Sequence, residues 1–183
     1  DIDLIHNSEE ILLHPNVLHW MKKTANKYLP LSNDETIGVV IMPHGATKPY
    51  NDAVEKTIEP LKSKFKVEMA YGMGDAVTIQ NAISKLENQG IKKIVFVRMY
   101  PTSSQLKEKT DYILGLNNKI PEQWDGLNPP QIRTSAIIST FGGYEEDNLI
   151  AGIFLERIQE FSKKPEEETI ILLAHGGSND KAE

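Results

Sequence analysis

Ile37-Gly38-Val39-Val40-Ile41-Met42-Pro43-His44-Gly45-Ala46 is the stretch on which the fold reading turns. Six mostly apolar residues run straight into a proline, a histidine and a glycine. An apolar run of this length, bounded by turn residues, reads as a strand buried on both faces. His44 then stands at the carboxyl edge of a parallel sheet, where open α/β folds bind their ligands.

The pattern returns near the end of the chain, as Ile170-Ile171-Leu172-Leu173-Ala174-His175-Gly176-Gly177. Asn51-Asp52 and Glu55 follow the first copy, and Asn179-Asp180 and Glu183 follow the second. The order is the same, with a shorter loop. It predicts a duplicated unit, with 163–183 as a linker and the first strand and His-Gly loop of a second half.

Between the two copies the periodicity alternates between strand and helix. Val54, Ile58, Leu61 and Phe65 fall on one face of a helix over 51–65, which Pro60 should kink or shorten. Residues 66–71 read as a second strand. Asp75 caps a helix running to 89, with Ile79, Ala82, Ile83 and Leu86 inward and Gly90 as the stop. Residues 93–99 make a third strand, followed by a turn and a helix to about 114. A proline-rich loop over 117–130 leads to a fourth strand over 132–139. Gly142-Gly143 precedes a helix over 144–161, and 169–174 make a fifth strand. Before all this, Pro15 opens a helix with Leu18, Met21, Ala25 and Tyr28 at helical spacing, ended by Pro30.

Strands joined by helices pair in parallel with right-handed crossovers. The expected fold is α/β: a three-layer αβα sandwich with a mostly parallel sheet, carrying an extra N-terminal helix in residues 1–36. Residues 37–162 form a complete four-strand unit by themselves.

The bulk properties narrow the partners. A chain of 183 residues supports one core and a piece of another. A net charge of -6 argues against a nucleic-acid partner. No apolar run approaches the roughly 18–20 residues of a membrane span. The expectation is a soluble, cytoplasmic protein, with export as the alternative because the chain starts at Asp1 rather than Met. There are no cysteines, so thiolate ligands and cysteine nucleophiles are excluded.

Motifs for nucleotide binding, zinc proteolysis and serine hydrolysis are absent. What remains is His44, with Gly45 and Ala46 giving a ligand access to the backbone. The opposing loop, after the third strand, offers Arg98, Tyr100, Ser103, Ser104 and Gln105. In a sheet ordered 2-1-3-4 it lies beside the His44 loop. The serines also suit helix capping, and Arg98 suits either a ligand carboxylate or a neighbour such as Asp75. The glycines at 142 and 143 serve either a flat ligand or the turn. His6, His14 and His19 read as surface or packing residues.

With these residues in view, the chain resembles the class II tetrapyrrole chelatases of the CbiX type, the sirohydrochlorin cobaltochelatases and ferrochelatases. The resemblance covers residues 37 to about 161. It rests on the strand ending in His44-Gly45, the helix ending near Gly90, the third strand entered through Gly90-Ile91-Lys92-Lys93-Ile94-Val95-Phe96-Val97, and Leu172-Leu173-Ala174-His175-Gly176. It implies a lyase that inserts Co²⁺ or Fe²⁺ (Ni²⁺ as a further possibility) into sirohydrochlorin, for cobalamin or sirohaem biosynthesis. The metal is then a substrate, and no organic cofactor is needed. The tetrapyrrole would lie between the two halves, or between two protomers of a homodimer. His44 would be metal ligand and proton acceptor, with His175 a candidate second ligand. The remaining residues of the His44 loop and the opposing loop would line the ligand. The family's usual second histidine falls on Gln105, a weak ligand and no base. Three readings follow: His44 works alone, the second half supplies the partner, or the chain binds metal or tetrapyrrole without catalysis.

Overall fold

Strand β1, Ile37–Met42, sends Val40 and Met42 to one side of the sheet and Val39 and Ile41 to the other. All four are at most 1% exposed, which is the two-sided burial that a continuous apolar run requires. The computed structural model describes residues 14–18, 20–21, 37–124, 130–145 and 147–173. Among these, strands β1, β2 (Lys66–Met69), β3 (Lys93–Arg98) and β4 (Ile137–Gly142) form one sheet in the order β2-β1-β3-β4. Every pairing is parallel, with Val40 opposite Phe96 and Met42 opposite Arg98. The expected three-layer αβα architecture is therefore present.

Helix α1, Lys48–Ile58, covers one face with Val54 and Ile58, joined by Val17, Trp20 and Met21 of the N-terminal helical residues. Helix α2, Ala76–Asn88, covers the other with Ile79, Ala82, Ile83 and Leu86, the four residues its spacing singled out. Each large apolar side chain buried there contributes about 1.5–3 kcal/mol. Asp75 accepts the Thr78 N–H at 2.8 Å, and Gly90 takes up a positive φ after the last turn. Pro60 ends α1 at Ile58, and one 3₁₀ turn, Glu59–Leu61, completes the element.

Two expectations are corrected. Strand β4 spans Ile137–Gly142, not 132–139. The preceding residues are taken by side chains of α2. The Arg133 N–H donates to Gln80, Gln80 donates back to the Arg133 carbonyl, and Ser135 donates to Glu87. Their backbone is thus committed before the ladder begins with Ile137 N–H on the Lys92 carbonyl. Helix α3, Lys107–Ile113, ends where expected, with Leu114 at its carboxyl end. Residues 169–173 form no strand; Ile170, Ile171, Leu172 and Leu173 are 51–94% exposed. An apolar run becomes a strand only where a neighbour takes its N–H and C=O groups, and no described strand does so. Ala174 and His175 lie outside the described residues, as do His6 and His19.

Helix α4, Asn148–Phe161, packs under the N-terminal helical residues. His14 bonds Glu156 at 2.7 Å, Asn16 donates to the Leu149 carbonyl, and Trp20 meets Tyr144 edge-on. His14 is thus a packing residue. On α4, Ile150 packs against the core, whereas Phe154 and Phe161 stay about half exposed.

Candidate functional site

In this strand order, β1 and β3 lead to neighbours on opposite sides, so the sheet has its topological switch point between them. The loops after these two strands open side by side, tied at their base by Met99 N–H on the Met42 carbonyl. His44 stands in the first loop and Ser103, Ser104 and Gln105 in the second. All four are exposed.

His44 Nδ1 lies 2.8 Å from the Gly45 carbonyl oxygen. An N–H there donates to that carbonyl, which leaves Nε2 with a free lone pair facing solvent. The loop beneath is held by the chain itself. The Ala46 N–H donates to Asn51 Oδ1, and Gly72 N–H donates to the Pro43 carbonyl. Gly45 has φ +73°, and a Cβ there would meet Gly72 N at 3.2 Å and Tyr71 Cβ at 3.3 Å. The glycine is required by this corner of the chain itself. Tyr71 donates to Glu55 at 2.9 Å, and burial followed by that carboxylate raises its pKa. Tyr50 is half-buried beside the loop. Burial raises its pKa, offset in part by a hydrogen bond with the His44 backbone. Tyr50 and Tyr71 were not among the expected site residues. Their helical and strand-end spacing reads as packing, and only the fold brings them to His44.

Arg98 and Tyr100 depart from expectation. Arg98 is 2% exposed and Tyr100 1%, so neither lines an open wall. The Arg98 guanidinium turns under its own loop, with Nη1 donating to the Ser103 and Gln105 carbonyls at 3.0 and 2.8 Å. Burial lowers its pKa, opposed by the nearby carboxylates of Asp111 and Glu145. Tyr100 donates to the Gly72 carbonyl at 2.8 Å and braces the loop after β2; burial pushes its pKa up to about 12. Both are scaffold. Asp75, the neighbour considered for Arg98, is occupied with its helix cap.

Neither serine caps α3. Leu106 stands at that position with φ 55°, the one positive φ outside glycine among the described residues. Arg98 draws the Ser103 and Gln105 carbonyls down, and the left-handed Leu106 stops helix from propagating back into the loop. Ser104 also borders an open cavity of about 510 Å³ with Leu106, Lys107, Lys109 and Glu122. His44 is not part of its lining.

Among the described residues, no three histidine, aspartate or glutamate side chains converge to hold a metal ion, and no helix is long and apolar enough to cross a membrane. The fold and this edge define a parallel α/β protein with a solvent-facing imidazole at its switch point. No protein-family model matches the chain, and no curated protein matches it significantly.

Proposed function

We propose that the chain binds a sirohydrochlorin-type tetrapyrrole over the carboxyl edge of β1 and β3 and inserts a divalent metal, Co²⁺ or Fe²⁺, into it. The observation that carries this reading is the exposed His44 imidazole, with Nδ1 turned onto the Gly45 carbonyl. Nε2 is then free to bind the incoming ion and, once the ion has passed to the macrocycle, to accept a pyrrole proton with the same lone pair. Neutral imidazole is a suitable ligand for these ions and an effective proton acceptor near neutral pH. The macrocycle loses two protons as the metal enters. His44 takes one, and solvent removes the other. His175 is proposed as a second ligand. Ser103, Ser104 and Gln105 present hydroxyl and amide groups to the carboxylate substituents of the macrocycle.

The test mixes the protein, sirohydrochlorin and Co²⁺ and follows the absorption bands of the macrocycle. Acceleration that disappears in His44→Ala supports the proposal. A rate equal to the uncatalysed reaction with the unaltered chain overturns it.

Gln105, and the single histidine among the site residues described, favour a second reading: a tetrapyrrole- or metal-binding protein without turnover. Tight porphyrin binding by the unaltered chain with no metal insertion would select it.

A further inference from the structure

The loop after β3 is held from two directions. From beneath, Arg98 grips the Ser103 and Gln105 carbonyls. From the side, the Ser103 N–H donates to the Glu145 carboxylate at 2.5 Å. Glu145 belongs to the loop after β4, and the two loops are joined a second time by the Tyr144 N–H on the Pro101 carbonyl at 3.1 Å. Helix α4 does not need Glu145, because Asp147 already caps it through the Leu149 N–H. The carboxylate reaches across a gap between loops to bond a single backbone amide.

The two glycines before it make that approach possible. A Cβ on Gly142 would lie 2.6 Å from Arg98 Cβ. Gly143 has φ +88°, and a Cβ on it would collide with the Ser103 backbone nitrogen and with the Glu145 carboxylate. The clearance that a flat ligand would use is filled by the chain's own loop. A carboxylate bonded to an N–H is also stronger than a neutral pair, and Glu145 adds negative charge near the buried Arg98.

We propose that Glu145 is a positioning residue for the candidate site: its hold on the Ser103 amide keeps Ser103, Ser104 and Gln105 standing as a fixed wall beside His44. The consequence for ligand binding rests on the proposed tetrapyrrole site; the hold on the loop does not. Without Glu145 the loop keeps the Arg98 grip on its carbonyls and the Tyr144 bond at Pro101, but the Ser103 amide loses its partner and the solvent-facing side of the wall is free to lift.

The experiment compares the unaltered chain with Glu145→Ala and Glu145→Gln. Amide hydrogen exchange is followed at residues 101–106, and binding is followed by fluorescence quenching of uroporphyrin, a polycarboxylate porphyrin probe. Glu145→Ala should speed exchange at Ser103 at least about tenfold with an unchanged melting temperature, and should weaken probe binding by a similar factor. Glu145→Gln keeps an acceptor oxygen and should recover much of both. Unchanged Ser103 exchange in Glu145→Ala overturns the proposal. So does faster exchange that leaves the probe affinity intact. If the unaltered chain does not bind the probe, the tetrapyrrole reading fails, and the exchange result alone decides the hold of Glu145 on the loop. Gly143→Ala, which forces Ser103 away from the carboxylate, gives an independent check and should speed the same amide.

Discussion

The two loops at the switch point handle their polar side chains in opposite ways. After β1, His44 faces solvent with one ring nitrogen occupied and one free. At the end of β3, Arg98 faces inward with its Nη1 fully engaged by backbone carbonyls. Both strands are six residues long, and Met42 lies opposite Arg98 in the ladder. Two positions along the chain separate the outcomes. Arg98 is the last residue of its strand, so the pleat directs it to the face covered by α2 and α3. His44 comes two residues after β1, past Pro43, where no pleat governs it. A chemically capable side chain inside a strand is recruited as structure, whereas one beyond it is available for chemistry.

Substitutions on either side should break this contrast in opposite ways. Arg98→Leu should have the largest effect on folding. It leaves the Ser103 and Gln105 carbonyls without their charged donor, at a cost of about 3 kcal/mol measured by urea unfolding. The Arg98 Nε already lacks a partner among the described residues, which keeps the cost from being greater. Gly143→Ala should follow, at about 2 kcal/mol, because its backbone is left-handed and the space for a Cβ is taken.

Tyr100→Phe should cost about 1 kcal/mol at neutral pH through the lost bond to Gly72. It should also change the alkaline limb of stability. Burial raises the Tyr100 pKa to about 12, against an ordinary value near 10. A raised folded value means full stabilisation below about pH 10, lost as pH climbs towards about 12. Removing the hydroxyl should therefore flatten the fall in unfolding free energy across that window.

His44→Ala should have the smallest effect on folding, within about 0.5 kcal/mol. It should nevertheless abolish accelerated metal insertion. That inversion, with least stability lost where most function is lost, sharpens the comparison. A cost above about 2 kcal/mol for His44→Ala would place His44 with Arg98 as scaffold.

Much of this architecture was legible before any coordinates. The four inward residues of α2, its Asp75 cap and its Gly90 stop depend on contacts within a few residues, and spacing alone encodes them. The parallel pairing followed from the same alternation, because parallel strands need helical crossovers, whereas the order β2-β1-β3-β4 is set by tertiary packing. The break at Pro60 was equally local. The start of β4 was not, because Gln80 and Glu87, some fifty residues earlier in the chain, compete for the backbone of Arg133 and Ser135. Nor was the fate of 169–173, since an apolar run carries no information about whether a partner strand stands beside it.

The candidate site divides along the same line. By itself the sequence determined that a histidine and a glycine follow the central strand, and that a polar loop lies next to them. Only the tertiary structure decided which polar groups remain outside. Arg98 turns inward, Tyr100 braces the loop after β2, Glu145 reaches Ser103, and Gly45, Gly142 and Gly143 make room for the chain itself. The physical reason is distance along the chain. A cap or a helical face is settled by neighbours three or four residues away, whereas a buried guanidinium or a crossed loop is settled by whichever distant carbonyl or carboxylate the fold brings within bonding reach.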